Sequence, residues 1–152
     1  MSVQKVNLIQ GTDEWLEWRK RGIGASEISA CIGQNPYCSP KQLLNKKLGI
    51  NIKKDSDFSL SRMERGRNLE PFIREEYINQ TGNWVEPVCV YNEKYPWLLA
   101  SLDGLSEDGK LVVEIKAPSN KVHSEALDGK VVGYYYWQVL GQLLVADAYI
   151  VN

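Results

Sequence analysis

The chain has 152 residues, of which 43% are hydrophobic and 24% charged, and its formal net charge is -1 at pH 7. This size and composition predict a single globular domain over residues 1–152, with neither a secretion signal nor an apolar run near the roughly 20 residues that cross a bilayer. The near-neutral charge excludes a general polyanion-coating protein, whose affinity would depend on many phosphate-neutralising lysines and arginines.

The three cysteines, Cys31, Cys38 and Cys89, cannot all pair within one chain and follow no zinc, redox or iron–sulfur spacing. We therefore expect free thiols. Basic residues outnumber acidic ones between Lys41 and Arg74. That asymmetry predicts a local basic surface, although ordinary solvated helix faces give the same pattern.

Capping signals predict three helices in the first third of the chain. The first is capped by Thr12 or Asp13 and ends at Arg19. The glycines that follow break it and form a tight loop, after which Ser26 is predicted to cap a short second helix. A serine–proline pair and a later glycine bracket the third helix, over about 40–48.

A polar segment and a longer helix are predicted next. Residues 51–60 are polar and lysine-rich, which predicts an exposed loop. Helical spacing of apolar residues predicts a helix over 61–80, with Gly82 as its terminator. Pro71 removes a backbone donor and disfavours helical geometry at Glu70, so we expect a kink or a restart of the helix with Glu70 at the bend.

After Gly82 the hydrophobic period changes from that of a helix to that of a strand. Three segments rich in β-branched and aromatic residues are predicted strands: 84–91, 97–102 and 111–116. Asp108-Gly109 predicts a hairpin turn that pairs the last two of them antiparallel. An apolar helix is predicted over 133–146, and 149–151 begin one more strand.

The predicted hairpin brings an acidic centre together. Side chains alternate along a strand, so Glu114 and Lys116 share one face. Asp103 stands across the hairpin, where antiparallel pairing can bring its carboxylate close to that of Glu114. Two acids and a lysine are therefore predicted to converge, although an acid and a lysine two apart on a strand are also common as a salt bridge.

Convergent carboxylates predict a metal-dependent hydrolase. Two close carboxylates repel, and a divalent cation is the simplest compensation. Mg²⁺ takes oxygen ligands and keeps several waters, so carboxylates and a substrate phosphate suit it, and Mn²⁺ can substitute. Such an ion acidifies a bound water and polarises the scissile phosphate, while a lysine such as Lys116 positions or deprotonates the water. The chemistry expected is phosphodiester hydrolysis.

These residues resemble the PD-(D/E)XK nuclease superfamily and, within it, the lambda-exonuclease or YqaJ-like viral recombinase family. The resemblance covers residues 11–146 and rests on these segments: 15–19, 22–27, 66–70, 101–105, 114–116 and Gln138. Leu102 replaces the proline that names the superfamily, which is not a ligand. The resemblance implies an α/β, restriction-endonuclease-like fold with a central mixed β-sheet flanked by helices, and a C-terminal part shortened relative to the family.

Roles for individual residues follow from the same resemblance. Asp103 and Glu114 are implied to bind the metal together with the backbone carbonyl of Ile115. Lys116 is implied to activate water. Glu70 resembles the helix-borne acid that contacts the catalytic site.

Three more residues carry implied roles. Gln138 resembles the glutamine that lies against the nucleophile from the C-terminal helix. Arg19 and Ser26 resemble the pair that holds the 5′ phosphate of the strand being digested. An arginine can bind phosphate through two hydrogen bonds, and a helix N-terminus at Ser26 would offer amide donors, but a structural cap or a surface ion pair would use the same residue types.

The implied function is that of a phage or prophage exonuclease in the bacterial cytoplasm, which degrades one strand of linear duplex DNA from the 5′ end and supports strand-annealing recombination. Implied partners are double-stranded DNA ends, a phage single-strand annealing protein and further copies of the chain in a trimeric ring. An exposed sheet edge at 149–151 would also invite pairing with another chain. The alternatives are an endonuclease or repair nuclease of the same fold, and a catalytically silent remnant that binds DNA or protein.

Two further features carry expectations. His123 is the only histidine and is predicted to lie in a loop, whereas a serine or cysteine hydrolase would need it beside the nucleophile. The aromatic run 134–137 is predicted to be mostly core, because an apolar helix of 14 residues must bury several faces. A stacking platform for unpaired bases is the alternative.

Overall fold

A mixed sheet of six strands runs through the centre of the computed structural model, which describes residues 3–50 and 56–152. The strands are β1 (Val3–Val6), β2 (Ile23–Gly24), β3 (Val85–Asn92), β4 (Tyr95–Ser106), β5 (Leu111–Val113) and β6 (Ile150–Val151). The helices are α1 (Asp13–Lys20), α2 (Ile28–Cys31), α3 (Pro40–Lys47), α4 (Asp57–Thr81), α5 (Asn120–Leu127) and α6 (Gly133–Ala146), and a 3₁₀ turn at Ala25–Glu27 precedes α2. The predicted central mixed sheet with flanking helices is confirmed.

Antiparallel pairing joins β1 to β3, β3 to β4 and β4 to β5, whereas β6 runs parallel to β5 and β2 runs parallel to β4. Gly104 of β4 lies opposite Val113 of β5, so the next residue outward on each strand, Asp103 and Glu114, also face each other. A Cβ on Gly104 would come within 2.8 Å of Val85 Cγ2 in β3. Glycine therefore lets the strands pack closely beside Asp103.

Helices cover both faces of the sheet. Val145 of α6 packs in one buried cluster with Val90 and other sheet residues, and Trp18 of α1 packs in another with Cys89. Because Cys89 and Val90 are neighbours on β3 and point to opposite sides, α1 and α6 lie on opposite faces. Burying two apolar faces of one sheet is the main stabilising contribution in this architecture.

Several predicted boundaries are confirmed by the capping contacts. The Thr12 side chain accepts a hydrogen bond from the Trp15 amide at the start of α1. Ser39 accepts from the Gln42 amide, and the Gln42 side chain accepts from the Ser39 amide in return, which is a capping box at the start of α3. Gly82 ends α4 with a φ of 71°, and α6 occupies the predicted range of 133–146.

Helix α4 is longer than the predicted 61–80. It begins at Asp57, because the Ser56 side chain accepts from the Ser59 amide as an N-cap. Residues 57–60 of the predicted loop are therefore helical, and 51–55 lie outside the described residues. The predicted restart at Pro71 is also wrong, since the helix is continuous. Pro71 is exposed, so water can hydrate the carbonyl that it leaves without a donor.

The 3₁₀ turn and β2 both differ from the prediction for this part of the chain. Ser26 does not cap the second helix: it lies within the 3₁₀ turn, and the Glu27 carboxylate accepts the Gly24 amide at the start of that turn. The loop expected before it contains β2, whose Ile23 pairs with Leu98 of β4. Such a pairing of two residues depends on a distant strand and leaves no local signal.

Other differences concern the second half and the N-terminus. His123 lies in α5 rather than in a loop. Strand β4 extends past the predicted end at 102 to Ser106, and β5 ends at Val113 rather than at Lys116. No element was assigned to β1, which pairs with β3. The start of β6 at Ile150 is close to the prediction.

None of the helices formed by residues 3–50 and 56–152 combines the length and the apolar character that crossing a membrane requires. The three cysteines are free, as predicted, and burial raises the pKa of the Cys89 thiol.

Candidate active site

A cleft with a volume of about 240 Å³ opens where α1, α4 and α6 meet the sheet. It is lined by all of the residues that the sequence analysis assigned to the site: Arg19, Ser26, Glu70, Asp103, Glu114, Ile115, Lys116 and Gln138. These residues come from six separate parts of the chain. The fold thus brings the predicted catalytic and phosphate-binding groups into one cavity.

Asp103 is held at the base of the cleft by the neighbouring strand. Its Oδ2 accepts a hydrogen bond of 2.8 Å from the Ile115 amide. Burial and, after it, the nearby carboxylates of Glu114 and Glu70 raise the pKa of Asp103 to about 7, against the opposing effects of the Ile115 amide and the Lys116 ammonium. The negative charge around Asp103 is therefore not balanced by the Ile115 amide and the Lys116 ammonium.

Glu114 accepts hydrogen bonds from three side chains. Gln138 donates to its Oε1 at 2.6 Å, Lys116 donates to the same oxygen, and Gln142 donates to Oε2. The Glu114 side chain is only 8% exposed. Because three donors face it, its carboxylate keeps a fixed orientation, and a cation that bound it would compete with one of them.

Lys116 lies at the open side of the carboxylates. Its Nζ contacts Glu114, so the prediction that Glu114 and Lys116 share one face is confirmed. The same ammonium lies 4.9 Å from the centroid of the Tyr135 ring, within the range of a cation–π contact. Its side chain is 34% exposed, so a substrate in the cleft can reach the amine.

Helix α4 supplies the third acid. Glu70 contacts Arg74 one turn later, and Arg74 Nε donates to the backbone carbonyl of Asp103 at 2.6 Å. Burial raises the pKa of Glu70; Arg74 lowers it and Glu114 raises it. Arg74 therefore ties the helix to the strand that carries Asp103.

The opposite end of the cleft is basic. Arg19 Nη2 donates to Ser26 Oγ at 3.2 Å, and its guanidinium lies 4.7 Å from the Trp15 ring centroid. Trp15 in turn donates to Ser101 Oγ at 2.7 Å, which fixes the ring against β4. The predicted pair of Arg19 and Ser26 is thus in direct contact.

At this end of the cleft, one carboxylate forms ion pairs with two cations. Glu27 lies 3.6 Å from Arg19 and 2.6 Å from the Lys47 ammonium. Lys47 also donates to the Arg19 backbone carbonyl at 2.7 Å. Because two cations face one anion, the Arg19 end has an excess of positive charge and suits an anionic ligand.

The donor set at the acidic end is compatible with a hard divalent ion. In the part of the chain that the structure describes, no three His, Cys, Asp or Glu side chains form a group that could hold a metal by themselves. Asp103 and Glu114, which face each other across β4 and β5, offer two carboxylates, and Ile115 lines the same cavity. Mg²⁺ commonly binds through one or two carboxylates, waters and substrate phosphate, so this sparse set fits it.

Sequence reasoning missed three residues that contact the site. Arg74 lies one turn after Glu70 and Gln142 one turn after Gln138, so helical spacing from the predicted residues could have found both. Gln142 is fully buried in an otherwise apolar part of α6, and its Oε1 has no hydrogen-bond partner among residues 3–50 and 56–152. Lys47 gave no such signal, because it approaches Glu27 only through the packing of α3.

The prediction that the aromatic run 134–137 is mostly core is wrong. None of these four side chains is buried, and Tyr136 is 51% exposed. The apolar burial of α6 is carried by residues after Gly141, including Val145 and Ala146. The aromatic first half of α6 therefore lies at the surface beside the cleft.

This fold and cavity define a domain in which a β-hairpin carries two acids and a lysine. Residues 14–149 match the model of the YqaJ-like viral recombinase domain. The chain belongs to that family, which confirms the resemblance seen in the sequence.

Individual relatives agree with this assignment. The chain is 28% identical over 129 residues to the uncharacterized protein YqaJ of Bacillus subtilis (strain 168), an alignment that covers 84% of this chain and 40% of that protein. The chain thus spans about two fifths of the curated relative that it matches. Among solved structures, it is similar to the alkaline exonuclease LHK-Exo of Laribacter hongkongensis, with a TM-score of 0.70, 24% identity and coverage of 91% of this chain and 74% of that one. LHK-Exo in complex with dAMP gives a TM-score of 0.71 and 25% identity, with coverage of 90% and 69%.

Proposed function

We propose that this chain is a Mg²⁺-dependent DNA exonuclease of the phage or prophage type, which hydrolyses one strand of linear duplex DNA from its 5′ end in support of strand-annealing recombination. The observation that carries the proposal is the single cleft in which the acidic centre of Asp103, Glu114 and Lys116 lies beside the basic pair of Arg19 and Ser26. A phosphodiester substrate needs both a metal-binding and a phosphate-binding end.

The hydrolytic step is assigned to the acidic end. Asp103, Glu114 and the Ile115 carbonyl would hold Mg²⁺, with Mn²⁺ able to substitute, and the bound ion would acidify a water and polarise the scissile phosphate. Lys116 positions or deprotonates that water from the open side of the site. Gln138 and Gln142 orient the Glu114 carboxylate, and Arg74 neutralises part of the charge of Glu70.

The polarity of digestion is assigned to the basic end. A terminal 5′ phosphate carries more negative charge than an internal phosphodiester, so it competes best for Arg19 and the Ser26 hydroxyl. Glu27 and Lys47 hold Arg19 in place without fully cancelling its charge. A strand whose 5′ phosphate is bound at this end would extend its first phosphodiester towards the acidic end.

Family membership and the likeness to an alkaline exonuclease support nuclease activity. That exonuclease has been solved in complex with dAMP, which supports a nucleotide as a ligand of this chain. Partners proposed on the family resemblance are a phage single-strand annealing protein and further copies of this chain, as a trimer. The exposed edge strand β6 offers one surface for contact with another copy.

The experiment that tests the proposal compares linear and covalently closed circular duplex DNA, each with Mg²⁺ or with a chelator. The linear duplex should release mononucleotides only with Mg²⁺, with a 5′ end label released before a 3′ end label. Cleavage of the circle with Mg²⁺ would instead support an endonuclease or repair nuclease. Binding of either DNA without hydrolysis under any condition would support a catalytically silent remnant.

A further inference from the structure

Three tyrosines form a surface beside the proposed catalytic lysine, which we call the tyrosine ledge. It consists of Tyr37 from the loop between α2 and α3 and of Tyr134 and Tyr135 from the first turn of α6. The Tyr37 and Tyr134 ring centroids are 5.9 Å apart and those of Tyr134 and Tyr135 are 4.5 Å apart. Rings from separate elements therefore form one continuous aromatic surface.

The ledge adjoins the acidic end of the cleft. The Tyr135 ring lies 4.9 Å from Lys116 Nζ, and that ammonium contacts Glu114. Partial burial and the neighbouring tyrosines raise the pKa of Tyr134 to about 12. A strand leaving the acidic end in this direction would meet aromatic rings.

Packing does not explain why these rings are there. Tyr37 is 79% exposed, and neither Tyr134 nor Tyr135 is buried. A single exposed aromatic residue is ordinary on a protein surface, but three rings of which Tyr134 contacts the other two, beside the proposed catalytic lysine, form a patch that suits a ligand. The flat, apolar faces of the rings match a nucleobase.

We propose that the tyrosine ledge binds unpaired bases of the DNA strand whose phosphate lies at Asp103 and Glu114, with Tyr37 as the outermost stacking ring. This inference rests on the proposed nuclease function and assigns a binding surface to it. Bases inside a duplex hide their faces against one another, so only a frayed or overhanging end offers a face to a tyrosine. Every base has such a face, so the contact is independent of sequence.

The test measures the binding of DNA with a short overhang that contains 2-aminopurine, whose fluorescence is quenched on stacking. Binding is measured with a chelator present, so that no hydrolysis takes place. The variants are Tyr37→Leu, which keeps an apolar side chain but removes the ring, and Tyr37→Phe, which keeps the ring. The matched control is Trp84→Leu, because Trp84 is 64% exposed just before β3 and does not line the cleft.

Tyr37→Leu should weaken the affinity about fivefold to a hundredfold and abolish the fluorescence quenching, whereas Tyr37→Phe and Trp84→Leu should stay within about twofold of the wild type. An overhang without bases should bind the wild type and Tyr37→Leu equally. Because Tyr37 is exposed, the leucine variant should unfold at the same temperature as the wild type.

The ledge and the proposed hydrolysis can fail separately. Equal affinity and equal quenching for the wild type and Tyr37→Leu would overturn the ledge, whatever the wild type does with Mg²⁺. Quenching that the wild type shows and Tyr37→Leu loses, in a protein that never cuts DNA, would leave the ledge standing and remove the nuclease function. An equal loss of affinity in Trp84→Leu would also overturn the ledge, since the effect would then not depend on this surface.

Discussion

Both ends of the cleft combine acidic and basic side chains, but carboxylates are in excess at one end and cations are in excess at the other. At the acidic end, three carboxylates, those of Glu70, Asp103 and Glu114, face the cations of Arg74 and Lys116. At the basic end, two cations face the single carboxylate of Glu27. The difference shows how one cavity can favour a cation at one point and an anion a short distance away, which is what a metal-dependent phosphodiesterase requires.

The largest effect is expected from removing the amine of Lys116, which we propose to be catalytic. Lys116→Ala should lower Mg²⁺-dependent release of nucleotides from linear duplex DNA by about 10²- to 10⁴-fold, because it removes the ammonium that contacts Glu114. Far-ultraviolet circular dichroism should show an unchanged fold. Lys110→Ala is the matched control, since Lys110 is 60% exposed in the hairpin. A Lys116→Ala enzyme that keeps its activity would contradict the mechanism.

The acidic end can also be tested through its charge. Asp103→Asn should remove the stabilisation that Mg²⁺ gives the wild type, about 2.7 kcal/mol at a concentration 100 times the dissociation constant. Thermal unfolding with increasing Mg²⁺ measures this. A melting temperature that rises equally in both proteins would show that the ion binds elsewhere.

The pKa of Asp103 predicts a pH dependence in the absence of metal. The pKa of the Asp103 carboxyl rises from 3.8 to about 7 on folding, so the folded protein binds the carboxyl proton more tightly than the unfolded chain does. The stability that this proton binding contributes is lost as the pH rises towards and through 7. The free energy of unfolding should therefore decline over this range by an amount on the order of a few kcal/mol. Asp103→Asn should flatten the decline, and the exposed Asp108→Asn should not. Chemical denaturation at several pH values gives the comparison.

The basic end should respond to phosphorylation of the DNA end. Arg19→Ala should slow digestion of 5′-phosphorylated ends roughly tenfold to a hundredfold, because charge-assisted hydrogen bonds to the phosphate are lost. Ends without a 5′ phosphate should be affected far less. Arg21→Ala, an exposed arginine that does not line the cleft, serves as the control. An equal loss on both kinds of end would refute this role for Arg19.

The smallest effect is expected at the wall of the cleft, between its acidic and basic ends. Gly66 lines the cleft one turn before Glu70, and a Cβ there would have no atom within 4 Å from the described residues outside its own helical turn. A glycine inside a helix costs about 0.5–1 kcal/mol relative to alanine, so Gly66→Ala should raise the free energy of unfolding by that amount. Gly66→Leu should in addition weaken DNA binding by narrowing the cleft. Unchanged binding by the leucine variant would show that the substrate does not pass this point.

The site was more predictable than parts of the fold. Asp103, Glu114 and Lys116 were found because a hairpin is a local structure: a turn sequence and strand alternation suffice to place three side chains together. Distant members such as Arg19 and Ser26 came from the family resemblance alone. No local rule in the sequence relates them to the acidic end.

The elements that escaped prediction depend on tertiary contacts. Strand β2 exists only because Ile23 can pair with Leu98, and Lys47 meets Glu27 only after α3 has packed. The aromatic half of α6 looked like core because its sequence is apolar, but the sheet covers only the later half of the helix. Composition predicts how apolar a helix is, and the packing of the whole chain decides which part is buried.

The most direct test of the account is the position of the metal. Crystals grown with Mn²⁺ and measured at a wavelength where manganese scatters anomalously should show an anomalous peak between the carboxylates of Asp103 and Glu114, within coordination distance of the Ile115 carbonyl. The Arg19 end should show no such peak. An ion bound away from these carboxylates, or no ion at Mn²⁺ concentrations that support DNA cleavage, would contradict the assignment of the acidic end as the catalytic centre.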